Sequence, residues 1–150
     1  MRSFRTFAVA VSMLAITGCS GNSSPLCTTV PIQNVTTPQM VYPVPNFGSV
    51  PDNAPAMVVA YTASPELAQT ITITPNGGSP IALGPMGAAP KVMPSPYIHN
   101  PAGGGTFYGV TLPTLKPHTH YSVAYRYTSS AGLCGQSTTA SIPMGGFSTQ

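Results

Sequence analysis

After residue 38 the hydrophobic positions recur mostly with a period of two, and no stretch keeps apolar residues at the i, i+3, i+4, i+7 spacing of an amphipathic helix. Residues 39–44 (QMVYPV) read as a first edge strand, because Pro43 cannot donate to a ladder. Residues 46–55 (NFGSVPDNAP) carry Gly, Pro and Asp-Asn turn signals, and residues 56–62 (AMVVAYT) form a strongly apolar central strand. Ser64, Pro65 and Glu66 turn the chain into residues 69–74 (QTITIT), whose strict Thr/Ile alternation marks a half-buried strand. Residues 75–78 (PNGG) then reverse it into a short partner at 79–83, which predicts a hairpin. Residues 84–105 have no periodicity and read as a long Pro/Gly-rich connection with one edge strand near 91–93. Strands follow at 106–112 (TFYGVTL) and 121–128 (YSVAYRYT). The latter sets Tyr121, Val123, Tyr125 and Tyr127 on one face. A loop at 129–136 precedes a last strand over 137–142 and 146–149, interrupted by Pro143. About seven strands with turn signals every 8–12 residues predict an all-β sandwich.

Composition sharpens this picture. Pro and Gly together contribute 18 and 15 residues, a frequency that breaks helices wherever they start. Charged residues are only 5% of the chain, so solubility rests on Ser, Thr, Asn, Gln and backbone.

The first residues have a different pattern. Arg2 and Arg5 precede an apolar run over 7–16, too short to span a bilayer as a helix. Ile16-Thr17-Gly18-Cys19 follows, and then a polar stretch, Ser20-Gly21-Asn22-Ser23-Ser24. This resembles the lipobox of bacterial lipoproteins. The resemblance implies cleavage before Cys19 and acylation of that cysteine, which anchors the protein to a membrane through lipid. Two or more acyl chains suffice for stable anchoring, at about 0.8 kcal/mol per buried methylene. In enterobacterial lipoproteins a serine after the cysteine implies sorting to the outer membrane. The expected organisation is a signal peptide over 1–18, a lipidated cysteine and tether over 19–37, and one domain over 38–150.

Without the signal, Lys91, Lys116 and Arg126 stand against Asp52 and Glu66, a net charge of about +1. No clustered basic patch remains for nucleic acid, nor a polybasic membrane signal. With Cys19 acylated, Cys27 and Cys134 are left. An oxidising envelope permits one intramolecular bridge between them, worth about 4–5 kcal/mol in the chain-entropy model. Two free thiols or an intermolecular bridge are the alternatives. Two single cysteines lack the paired spacing of a zinc site.

Leu115-Lys116-Pro117-His118-Thr119-His120-Tyr121-Ser122-Val123 resembles the L-x-P-x-T-x-Y-x-V pattern of fibronectin type III and related bacterial Ig-like domains. In that pattern a tyrosine hydroxyl bonds back to backbone a few residues upstream and locks the corner between two strands. The resemblance gives Tyr121 that hydroxyl, Leu115 a core position and Pro117 the role of stiffening the turn. Residues 42–52 (YPVPNFGSVPD) resemble the opening of Ig-like domains in bacterial S-layer and adhesion proteins, and Gly146-Phe147-Ser148-Thr149 resembles their closing strand. An Ig-like (fibronectin type III-like) sandwich over 38–150 is thereby implied. The chain has no Trp, so Tyr61 or a phenylalanine has to fill the volume that Trp takes in fibronectin domains.

Candidate chemistry is sparse. Asp52 and Glu66 are the only acids and both fall in turns, so paired-carboxylate catalysis has no basis. There is no G-x-S-x-G elbow and no phosphate-cradling glycine loop before a helix. His118 and His120, at i and i+2 on an extended segment, point the same way, and with His99 they offer three nitrogens for zinc or copper. The competing reading puts both in solvent-facing positions of the corner. Met86, Met93, Tyr97 and His99 in the 84–105 loop offer a recognition surface; alternatively Tyr97 and Ile98 cover the sandwich edge, the reading we favour. The tyrosine stripe of 121–127 is expected to face the core rather than to stack on sugars. The expected protein is a lipid-anchored, non-catalytic envelope module, structural or binding a protein or glycan, with no cofactor. The alternative is a small metal-binding envelope lipoprotein. Nothing in the sequence selects an oligomeric state.

Overall fold

The computed structural model describes residues 35–65, 69–130 and 137–150. These residues form no helix; nine strands build two sheets packed face to face as a β-sandwich. In chain order the strands are β1 (Gln39–Tyr42), β2 (Phe47–Val50), β3 (Ala56–Tyr61), β4 (Thr70–Pro75), β5 (Ile81–Ala82), β6 (Gly87–Ala88), β7 (Thr106–Thr111), β8 (His120–Ser130) and β9 (Ser137–Thr149). One sheet has the order β1-β3-β7-β6, the other β2-β9-β8-β4-β5. All pairings are antiparallel except β2 with β9, which is parallel.

Side-chain alternation decides which face each strand buries. In β4, Ile71 and Ile73 are buried and lie opposite Tyr125 and Val123 of β8, both also buried. The tyrosine stripe thus faces the core, with Tyr121 and Tyr125 fully covered and Tyr127 half-buried. Two aromatic pairs fill the interior that lacks Trp. Tyr121 stacks on Phe147 at 5.3 Å, and Tyr61 meets Tyr125 at 6.2 Å across the two sheets.

β3 is buried on both faces. Val58 and Ala60, which alternate with the inward Val59 and Tyr61, are only 0% and 2% exposed. The 84–105 connection accounts for this, because its Met86, Met93 and Tyr97 pack on the core. The unbroken apolar run AMVVAY is therefore the signature of a strand with two covered faces. At Gly109 of β7, opposite Val58, a Cβ would stand 2.7 Å from the Ala88 carbonyl oxygen and 3.5 Å from Pro90 Cδ, so only glycine lets the connection come this close.

Four sequence expectations need correction. The 46–55 turn contains β2, a short strand hidden by its Gly and Pro neighbours and held by parallel pairing at Phe47–Phe147 and Val50–Thr149. The edge strand placed near 91–93 is instead β6 at Gly87–Ala88, where small residues approach Gly109. The last strand is not interrupted at Pro143. The register of β8 and β9 shifts between Val123–Gly145 and Ala124–Pro143, a bulge that accommodates the proline. Finally, β8 and β9 run on as a ribbon to Ser130 and Ser137, so strand replaces part of the predicted loop, and the strands number nine rather than about seven.

Candidate functional site

The best-built local structure lies between β7 and β8, where the sequence placed its corner. The Tyr121 hydroxyl accepts a hydrogen bond from the Lys116 backbone N–H at 2.8 Å. Leu115 is buried in the core, and its N–H donates to the Asp52 carbonyl at 2.9 Å, tying the corner to the turn before β3. Pro117 precedes His118, whose φ of 50° turns the chain. Sequence reasoning missed Thr149. Its buried hydroxyl donates to the Lys116 carbonyl at 2.6 Å and accepts from the Thr119 N–H at 2.9 Å. The closing strand thus grips the corner from the other side. The signal was present only as a β-branched polar residue at an inward position of β9.

The same turn separates the histidines. His118 sits in the turn rather than on an extended segment, so the i, i+2 argument for a shared direction fails. His120 opens β8, and its Nδ1 lies 3.1 Å from the Ser148 hydroxyl. His99 stacks against Tyr97 with ring centroids 4.1 Å apart. Among the described residues, no three His, Cys, Asp or Glu side chains form a group that could hold a metal ion.

The 84–105 connection covers the sheet edge. The Ile98 N–H donates to the Val41 carbonyl of edge strand β1 at 3.1 Å, and the Gly103 N–H donates to Gln39 Oε1 at 3.3 Å. Val92, 83% exposed, is the large apolar residue this connection leaves in solvent. Beside β1 a groove of about 460 Å³ opens toward β9, walled by Pro38, Met40, Pro101, Pro143 and Met144. Its lining also holds the polar side chains of Thr37, Gln39 and Asn100, and carries no acid, base or thiol.

A pair of tyrosine hydroxyls meets inside the core. The hydroxyls of Tyr61 and Tyr125 are 3.2 Å apart, and Tyr61 donates to Gln69 Oε1 at 3.3 Å. Both serve to join the sheets. Burial raises the Tyr42 phenol above its usual 10.0. Asp52 is exposed in its turn. Glu66, Cys19, Cys27 and Cys134 lie outside the described residues. No helix among the described residues is long and apolar enough to cross a membrane. No protein-family model, curated protein or solved structure matches this chain.

Proposed function

We propose that this chain is a lipid-anchored, non-catalytic module of the bacterial cell envelope, whose domain is Ig-like and acts as a structural or binding element for a protein or glycan. The observation that carries the domain reading is strand order. Lettering the strands by chain order, with β1 and β2 as two parts of the first, gives A-B-E-D facing A′-G-F-C-C′. Ig sandwiches set ABED against CFG, with C′ as a common addition. The Lys116–Tyr121 bond falls at the start of the sixth lettered strand, where the tyrosine corner of such domains sits. Val123, two residues on, takes the place of the second inter-sheet cysteine of antibody domains and is buried as a plain core residue.

The anchor reading rests on Ile16-Thr17-Gly18-Cys19 with its short apolar run. The bridge reading, Cys27 to Cys134, rests on cysteine count: with Cys19 acylated these two remain, and an oxidising envelope permits one intramolecular bridge.

Fractionation of cells that express the full chain tests the anchor. The unaltered protein is expected in the membrane fraction, released by detergent and not by high salt, and Cys19→Ala is expected in the soluble fraction. An unaltered protein that stays soluble would sink the reading.

A further inference from the structure

The groove beside β1 has two walls that are fixed without a ligand. On one side the Ile98 N–H donates to the Val41 carbonyl and the Gly103 N–H donates to Gln39 Oε1, so the connection is tied to β1 at both ends of residues 99–102. This arch ends in a turn closed by the Gly104 N–H and the Pro101 carbonyl at 2.9 Å. On the other side stand Pro143 and Met144, at the bulge of β9. Gly145 follows with a φ of 126°, and a Cβ there would lie 3.3 Å from Pro45 Cβ and 3.6 Å from Met40 Sδ, so this wall is already closely packed. A volume of about 460 Å³ between such walls is that of a pre-formed ligand pocket.

The lining narrows what fits. Pro38, Pro45, Pro101 and Pro143 carry no N–H, and no lining residue is charged. Hydrogen bonding therefore falls to side chains. Gln39 spends Oε1 on Gly103 and keeps its amide donors, while Asn100 keeps both ends of its amide; neither of these groups has a hydrogen-bond partner among the described residues. Met40, Ile98 and Met144 add apolar surface, and unbranched thioethers adapt to the shape of what they meet.

We propose that this groove binds an extended, uncharged segment of a partner protein, with an apolar side chain against Met40, Ile98 and Met144 and the adjoining peptide groups on Asn100 and Gln39. A peptide unit presents one donor and one acceptor, and the Asn100 amide matches both; Gln39 supplies a donor for a second carbonyl. A segment that entered through an ionised side chain would lose its hydration with no counter-charge in return. A sugar fits less well, because the lining offers no aromatic ring for it to stack on. The inference rests on the binding reading above and selects protein over glycan within it.

The test is a chemical-shift titration of the full chain starting at Cys19, with N-acetyl-leucine methylamide in one arm and N-acetylglucosamine in the other. The methyl signals of Met40 and Met144 and the side-chain amide of Asn100 are expected to shift saturably with the capped leucine and not with the sugar. The midpoint is expected at about 1 mM, the affinity open to so small a probe. Asn100→Ala is expected to raise it about fivefold. Gln39→Glu keeps an oxygen for the Gly103 N–H but loses the donors, and is expected to raise the midpoint as well. The backbone amides of Val58, Val59 and Val123 should keep their positions in both variants, which reports an intact sandwich. No saturable shift with the capped leucine, or a midpoint indifferent to both substitutions, would overturn the proposal. A response to N-acetylglucosamine alone would overturn it while leaving the binding reading in place, and would assign the groove to a glycan.

Discussion

The Tyr121 hydroxyl and the Lys116 backbone N–H, 2.8 Å apart, close the corner through which β7 passes into β8, and Thr149 holds the same corner through the Lys116 carbonyl. Tyr121 is also stacked on Phe147, so its ring belongs to the core and its hydroxyl to the corner. Tyr121→Phe keeps the ring and orphans the Lys116 donor. We predict a loss of about 1–2 kcal/mol in urea unfolding with an unchanged m-value. Thr149→Val should cost a similar amount, and the pair should be non-additive because both grip one turn. A Tyr121→Phe chain as stable as the parent would refute the corner's role.

The Tyr61–Tyr125 pair makes a second prediction. Either single Phe substitution removes the hydrogen bond between the two hydroxyls and should cost about 1 kcal/mol. The double substitution should cost less than the sum of the two, since both partners go together. Strict additivity in the double-mutant cycle would show that the two hydroxyls do not interact.

Gly109 tests the cover over β3. A methyl there collides with the Ala88 carbonyl at 2.7 Å, backbone that cannot swing away. Gly109→Ala is predicted to destabilise by about 1–3 kcal/mol and to increase proteolysis within 84–105. An unchanged cleavage pattern would mean that the connection does not depend on this approach.

Tyr42 sets a limit at high pH. Its folded pKa lies above 10.0, so below pH 10 both folded and unfolded chains keep the proton and its contribution is constant. As pH rises past 10 the unfolded state loses the proton first, which lowers stability until the folded phenol also ionises. The urea midpoint should therefore fall above pH 10, and the fall should be shallower in Tyr42→Phe. Identical pH profiles for the two proteins would contradict the assignment.

Much of this architecture was legible in the sequence, for physical reasons that differ by element. QTITIT and YSVAYRYT alternate because each has one face in the core, and their pairing at Ile73–Val123 follows that pattern. The stretch 39–42 was readable as an edge because Pro43 follows it. Phe47–Val50 was not legible: four residues among Gly and Pro carry no period, and only the parallel partner Phe147–Thr149 makes them a strand. The bulge at Pro143 was hidden because proline reads as a stop unless the partner's register is known. The corner was legible in Leu115, Pro117 and Tyr121, but Thr149 was not, since its role depends on a chain 33 residues away in sequence. The histidine spacing misled because an i, i+2 pair shares a direction only on extended chain, and His118 has a φ of 50°.

The most direct test of the account is intact mass of the protein purified from its native membrane, with and without reductant and thiol alkylation. A chain that begins at Cys19 and carries acyl groups, with two alkylatable thiols appearing only after reduction, is the predicted result. An unacylated chain beginning elsewhere, or thiols free without reductant, would contradict it.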